Sequence, residues 1–200
     1  PAVVAAQMAE VLGFDLEARA ACRTWEEALR LFIGHADSAG VLVMVSGVVL
    51  SNNSRKLDPE EFRGFALSDR QAPLVFINGT DSKSAQMFTL AHELVHVWLG
   101  REGLFNLIRT MPHDDDIERF CNETAAEFLV PGHKLRKRWD EVKHTAQPFK
   151  TIAGWFKVSP VAAARRALGL GLISKRQFFD FYERDQAEFY RRKAEEKKRN

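Results

Sequence analysis

Ser84-Ala85-Gln86-Met87-Phe88-Thr89-Leu90-Ala91-His92-Glu93-Leu94-Val95-His96-Val97-Trp98-Leu99 is the stretch whose periodicity decides the fold. Its apolar residues recur at helical spacing and Gly100 closes it, so it reads as one helix. His92 and His96 stand four apart and therefore face the same side, one turn from each other. Two imidazole nitrogens at that spacing suit one zinc ion at about 2.0–2.1 Å each. Glu93 lies about 100° around the helix from His92. A carboxylate there stands beside the metal's open position instead of ligating it, and its expected role is general base toward a water the metal acidifies. His-Glu-x-x-His on a helix is the arrangement of zinc peptidases. Phe88, Leu90, Ala91, Leu94, Val95 and Trp98 supply an apolar background, which puts this helix in the core.

Upstream, the first forty residues read as helical. Thr24-Trp25-Glu26-Glu27 is a capping box, and Ala28, Leu31, Phe32 and Ala36 follow at helical spacing up to a stop at Gly40. Strand character comes next. Val41–Val45 is a β-branched run that Val48–Leu50 extends or pairs with across Ser46-Gly47. Phe62–Leu67 and Leu74–Ile77 follow, separated by the turn-prone residues 68–73. Downstream, the acidic Asp114-Asp115-Asp116 opens a helix that runs to Val130 and stops at Pro131-Gly132. Further helices are expected over about 133–140, 147–157 and 160–168, with a long charged one from Ser174. The fold class is therefore α+β, with a small, mostly antiparallel sheet of three or four strands packed on the motif helix and a helical C-terminal region. The expected division is residues 1–145 for the core and 146–200 for the helical region.

Composition narrows the function. The chain has 200 residues, 46% hydrophobic and 28% charged, as in an ordinary globular protein. A formal net charge of +2 argues against a surface built mainly to hold nucleic acid. No apolar run is long enough to span a bilayer. The apolar start Pro1–Ala6 lacks a basic n-region and reads as an amphipathic helix, not a signal peptide. No initiator Met precedes Pro1, which suggests trimmed upstream sequence or numbering that begins inside a longer chain. Cys22 and Cys121 are too few for a disulfide framework and read as reduced thiols of a cytoplasmic protein.

A catalytic zinc site needs a third protein ligand and one open position. Glu102 sits where one peptidase class places a third histidine, but the glycine that class needs falls at Gly100, one step late. Cys121, on the next helix and close to the third-ligand candidate there, is an alternative ligand. Glu118 and Glu123 lie on that helix. Small residues Ala125 and Ala126 mark the face that packs on a neighbour; Glu118 and Asn122 share it, whereas Glu123 is rotated away. Glu118 ranks first on that ground. His113, His133 and His144 read as surface or cap residues. The acidic run 114–116 reads as a helix start, with a carboxylate orienting a histidine as the alternative.

The sequence resembles the ImmA/IrrE family of metallo-endopeptidases. The resemblance lies in Phe88-Thr89-Leu90-Ala91-His92-Glu93-Leu94-Val95-His96 and in the block from Glu118-Arg119-Phe120-Cys121-Asn122 through Ala125-Ala126 to Leu129-Val130-Pro131, and covers about residues 40–170. It implies a zincin-like core whose third zinc ligand is Glu118. It further implies a cytoplasmic enzyme acting on helix-turn-helix repressors of the XRE type, or on an antitoxin, so that cleavage releases the repressed genes.

A second pattern, Ile152-Ala153-Gly154-Trp155-Phe156-Lys157-Val158-Ser159 followed by Val161–Arg166, has helix-turn-helix spacing and would offer Arg165 and Arg166 to DNA. A helical pair used for close packing explains it as well, and the low charge does not favour DNA. The rival function from another class is a zinc-loaded but proteolytically idle module that controls a DNA-binding partner by association. Glu93 favours the enzyme, because a purely structural metal site has no use for a base beside an open position.

Overall fold

The computed structural model describes residues 1–50, 52–100, 103–105 and 114–199. They form two compact units, Pro1–Pro131 with Gly154–Val158, and Gly132–Ala153 with Ser159–Asn200.

In the first unit three helices lead: α1 (Ala2–Leu12), α2 (Leu16–Ala21) and α3 (Trp25–Ser38). The capping box of α3 forms. Thr24 Oγ1 accepts from the Glu27 N–H at 3.1 Å, and the Glu27 carboxylate accepts from Arg23 N–H at 2.7 Å, one residue before the cap. Ala28, Leu29, Phe32 and Ala36 are the buried face; Leu31 is only half-buried. Gly40 takes the left-handed conformation, φ 89°, that ends the helix. Phe14 and Phe32 stack at 4.5 Å and meet Phe128 at 6.3 and 5.4 Å, which fixes the N-terminal helices to the later part of the unit.

Arg19 on α2 is 2% exposed, lies over the Phe14 ring, and has no hydrogen-bond partner at Nε or Nη1 among the described residues. Burial holds its pKa down at about 10, against a partial lift from Asp15. A buried cation without a close partner contributes little to stability, and an apolar side chain of similar length packs as well. Arg19→Met is therefore expected to gain about 1 kcal/mol, a rise of roughly 2–4 °C in the melting temperature. A drop of several degrees in a thermal melt would refute this.

Among the described residues six strands follow: β1 (Leu42–Ser46), β2 (Val48–Val49), β3 (Asn52–Lys56), β4 (Gly64–Leu67), β5 (Leu74–Asn78) and, after helix α4 (Lys83–Trp98), β6 (Gly103–Phe105). The main sheet has the order β1-β5-β4-β6. β1 and β5 run parallel, and the β5–β4 and β4–β6 pairs are antiparallel, so the sheet is mostly antiparallel. Val48–Val49 does not pair with Val41–Val45. After the Ser46-Gly47 bend, where Ser46 Oγ accepts from Val48 N–H at 3.2 Å, the chain leaves the sheet and pairs with Asn52–Lys56 as a separate ribbon. In the β4–β5 turn Asp69 Oδ1 accepts from Gln71 and Ala72 N–H at 2.8 and 2.9 Å.

One face of the sheet meets α4. Ala66, Val75 and Ile77 alternate onto that face and are buried, while Phe65 and Phe76 stack at 5.2 Å on the other. The Ser82 hydroxyl caps α4 by accepting from Ala85 N–H at 3.3 Å. Buried Gln86 ties the first turn down, donating from Nε2 to Gly79 O at 3.1 Å and Asp81 O at 2.6 Å. Helix α5 (Asp114–Leu129) packs on α4 from within the same unit.

In the second unit lie α6 (Gly132–Val142), the start of α7 (Pro148–Phe156), α8 (Pro160–Gly169) and α9 (Lys175–Arg199). Phe149 meets Phe181 edge to face at 4.6 Å. Ser159 caps α8 and Pro160 opens it. Ala163, Ala164 and Ala167 are buried, whereas Arg165 is exposed.

Candidate metal centre

The middle of α4 lies so deep that His92 and Glu93 are fully buried and His96 is 2% exposed. The ring nitrogens His92 Nε2 and His96 Nε2 face each other at 3.1 Å. From α5, Glu118 directs one carboxylate oxygen at each ring: Oε2 lies 3.2 Å from His92 Nε2 and Oε1 lies 3.1 Å from His96 Nε2. The donor atoms of these three residues all fall within 4.8 Å of one another.

Helix geometry explains the convergence. On α5 the buried residues Cys121, Thr124, Ala125, Phe128 and Leu129 mark the inward face, and Glu118 begins it one turn before Cys121. Ala126, expected on this face, is half-buried. Glu123 is exposed and turned away, so α5 brings Glu118 and not Glu123 to the histidines. Cys121 is buried near the cluster without belonging to it. Burial, with Glu118 and Glu93 adding to it, pushes its thiol up to about 12, far from the thiolate a metal takes. Asp116 pairs with Arg119 at 3.0 Å instead of orienting a histidine. His133 and His144 are exposed. Glu102 and His113 lie outside the described residues.

The charges around the centre are strongly perturbed. Burial pushes the Glu93 carboxyl up to about 9, and Glu118 adds to the rise. Neither of its oxygens has a hydrogen-bond partner among the described residues. Burial also tends to raise Glu118, but hydrogen bonds from His92 and His96 outweigh it and hold that carboxyl at about 2. His92 is pushed down by burial and by His96, against the lift from its hydrogen bonds to Glu118 and Asn122. Two imidazole nitrogens and two carboxylate oxygens thus converge at little more than 3 Å.

The donor set fits a metal ion. Ligands at 2.0–2.1 Å from a tetrahedral ion are separated by about 3.3–3.4 Å, close to the spacings of 3.1–3.2 Å found here. Two nitrogens and a carboxylate would leave one of four positions of a tetrahedral ion free, and the Glu93 oxygens, without a hydrogen-bond partner among the described residues, lie on the same helix.

Two residues near the centre escape a reading by motif. Thr124 is buried, and its hydroxyl has no hydrogen-bond partner among the described residues. Gly64, the first residue of β4, faces the same α4 surface as Glu93; a glycine in a strand is itself a signal of a close backbone approach.

The family model for the IrrE N-terminal-like domain, peptidase M78, matches residues 36–168. No curated protein matches the chain. Since the matched segment spans well over half of the sequence, the main sheet and both helices of the centre included, the protein belongs to the M78 family of metallopeptidases.

Proposed function

We propose that the protein is a zinc-dependent endopeptidase that cleaves a regulatory protein, an XRE-type helix-turn-helix repressor or an antitoxin, and so derepresses its genes. In this reading His92, His96 and Glu118 hold the ion and Glu93 is the general base. The observation that carries it is the convergence of the three donor groups beside a buried carboxylate that nothing else in the described chain engages.

When bound, zinc supplies Lewis acidity toward water and toward the scissile carbonyl. The work of the chain is then positional and protonic. His92 and His96 are fixed one turn apart by α4, and Glu118 is fixed by α5, so the seat is set by helix packing. Glu93 takes the proton of the attacking water at a carboxylate oxygen and returns it to the leaving amine. Burial raises its affinity for that proton in the metal-free chain; the positive charge of a bound ion would oppose that rise and favour the carboxylate that accepts it.

An extended substrate cannot add at Leu74–Asn78, because β5 is bonded on one side to β1 and on the other to β4. The same reading assigns the chemistry to residues 1–145, with 146–200 as an accessory helical region. It places the protein in the cytoplasm, in keeping with two free cysteines; no helix among the described residues is long and apolar enough to cross a membrane.

The test is incubation with the repressor encoded beside this protein, with and without chelator. Fragments that form only with metal are expected. Stable co-purification without fragments would replace the enzyme with an idle binding module.

A further inference from the structure

We propose that Gly64 is a positioning residue for the Glu93 base. The inference rests on Glu93 acting as that base, and it concerns what keeps the carboxylate in place.

Glu93 has no hydrogen bond at either oxygen among the described residues, so the constraint those residues place on it is packing. The packing surface is β4. Gly64 pairs with Ile77 of β5 on one side and with Phe105 of β6 on the other, so its backbone is held from both edges. Alternation turns Gly64 and the buried Ala66 toward α4. A Cβ at position 64 would lie 2.5 Å from Thr89 Cγ2, 2.7 Å from the Phe76 carbonyl oxygen and 3.6 Å from Glu93 Cγ. Thr89 stands one turn before Glu93 on the same face of α4. Adding one methyl therefore presses on Thr89, in the turn that leads into the base, while it meets the Glu93 side chain at ordinary contact distance. The strand cannot retreat without breaking its pairing on both sides. The backbone angle at Gly64 is one that alanine adopts freely, so Gly64→Ala acts through contact alone.

Gly79 provides a control of milder crowding elsewhere in the sheet. A Cβ there would also be crowded, 3.1 Å from Gly47 N and 3.2 Å from Val45 Cγ1, but at the end of β5 against the β1–β2 bend and not on Glu93.

The probe is acetohydroxamate, titrated into the cobalt(II)-loaded full chain and followed by the d–d absorption of the ion. A hydroxamate chelates the metal and shares its proton with an adjacent carboxylate, so its affinity reads the base without needing the natural substrate. Glu93→Gln and Gly64→Ala should each take up cobalt as the wild type does and bind acetohydroxamate at least about tenfold more weakly. Gly79→Ala should bind it normally. Thr89→Ser, added to Gly64→Ala, removes the nearest obstructing methyl and should restore part of the affinity.

Normal acetohydroxamate affinity in Gly64→Ala, with Glu93→Gln weakened, overturns the inference alone. Normal affinity in Glu93→Gln removes the base assignment, and the inference with it. Equal losses in Gly64→Ala and Gly79→Ala reduce the effect to general crowding and also overturn it. So does failure of both Gly64→Ala and the double variant to fold while Gly79→Ala folds, since the glycine then serves only sheet packing.

Discussion

Glu93→Gln is expected to bind metal as the wild type does and to lose about 10²–10⁴-fold in cleavage of the protein substrate. Glutamine keeps the shape of the side chain and its packing against β4, but it cannot accept a proton from water. On the proposed ligand set the donor atoms belong to His92, His96 and Glu118, so metal content should not change. Metal analysis and a cleavage time course on the same preparation check both halves, and cleavage at the wild-type rate would remove Glu93 from the mechanism.

The same variant has a signature in the chelated protein. Burial raises the Glu93 carboxyl from its ordinary 4.5 to about 9. Between those values the folded chain keeps a proton that the unfolded chain releases, so this group lowers stability as pH rises through that window. Glutamine does not titrate. Metal-free Glu93→Gln should therefore melt above metal-free wild type at pH 8, and the two should approach each other near pH 4. Glu118 works in the opposite sense in both proteins. Its folded value of about 2 lies below the ordinary 4.5, so its contribution is lost as pH falls through that range. Melting curves in chelator across pH test the order, and a wild type that is the more stable of the two at pH 8 contradicts it.

Glu118→Ala is expected to weaken metal binding by more than about 100-fold, since even partners that merely orient a ligand are worth 10–100-fold. Without the carboxylate the two facing imidazoles remain, and two neutral donors close a poor seat for a dication. Glu123→Ala is the internal control, because that side chain is exposed and turned from the centre. Competition of each variant against a chromophoric chelator gives the two affinities. Equal losses in both variants would show that the whole of α5, and not one carboxylate, supports the ion.

Helices with caps and periodic apolar faces were legible from sequence, because capping and amphipathicity act within a few residues. α4 and α5 follow their patterns, and the packing face legible in the α5 sequence favours Glu118 over Glu123. Strand pairing was less legible. Val41–Val45 and Leu74–Ile77 read as strands, but nothing in their alternation says that they run side by side in parallel. Asn52–Lys56 carries no apolar residue and is exposed throughout, so no periodicity betrays it. β6 has three residues, too few for a pattern. That Leu74–Asn78 lies inside the sheet, closed to an added strand, is illegible for the same reason: which strand is an edge is decided by long-range order. Gly64 was hidden inside a run read only as apolar, since its role depends on what lies above it.

The two-helix construction of the centre has a consequence for the life of the protein in a cell. Two donors come from α4 and the third from α5, so on the proposed ligand set the ion is a cross-link as well as a reagent. Any ion that binds only the folded state stabilises it in proportion to the logarithm of its free concentration over the dissociation constant. Starvation for zinc would then act twice, silencing the chemistry and exposing the chain to turnover. The amount of this peptidase, and not only its rate, would follow the metal supply.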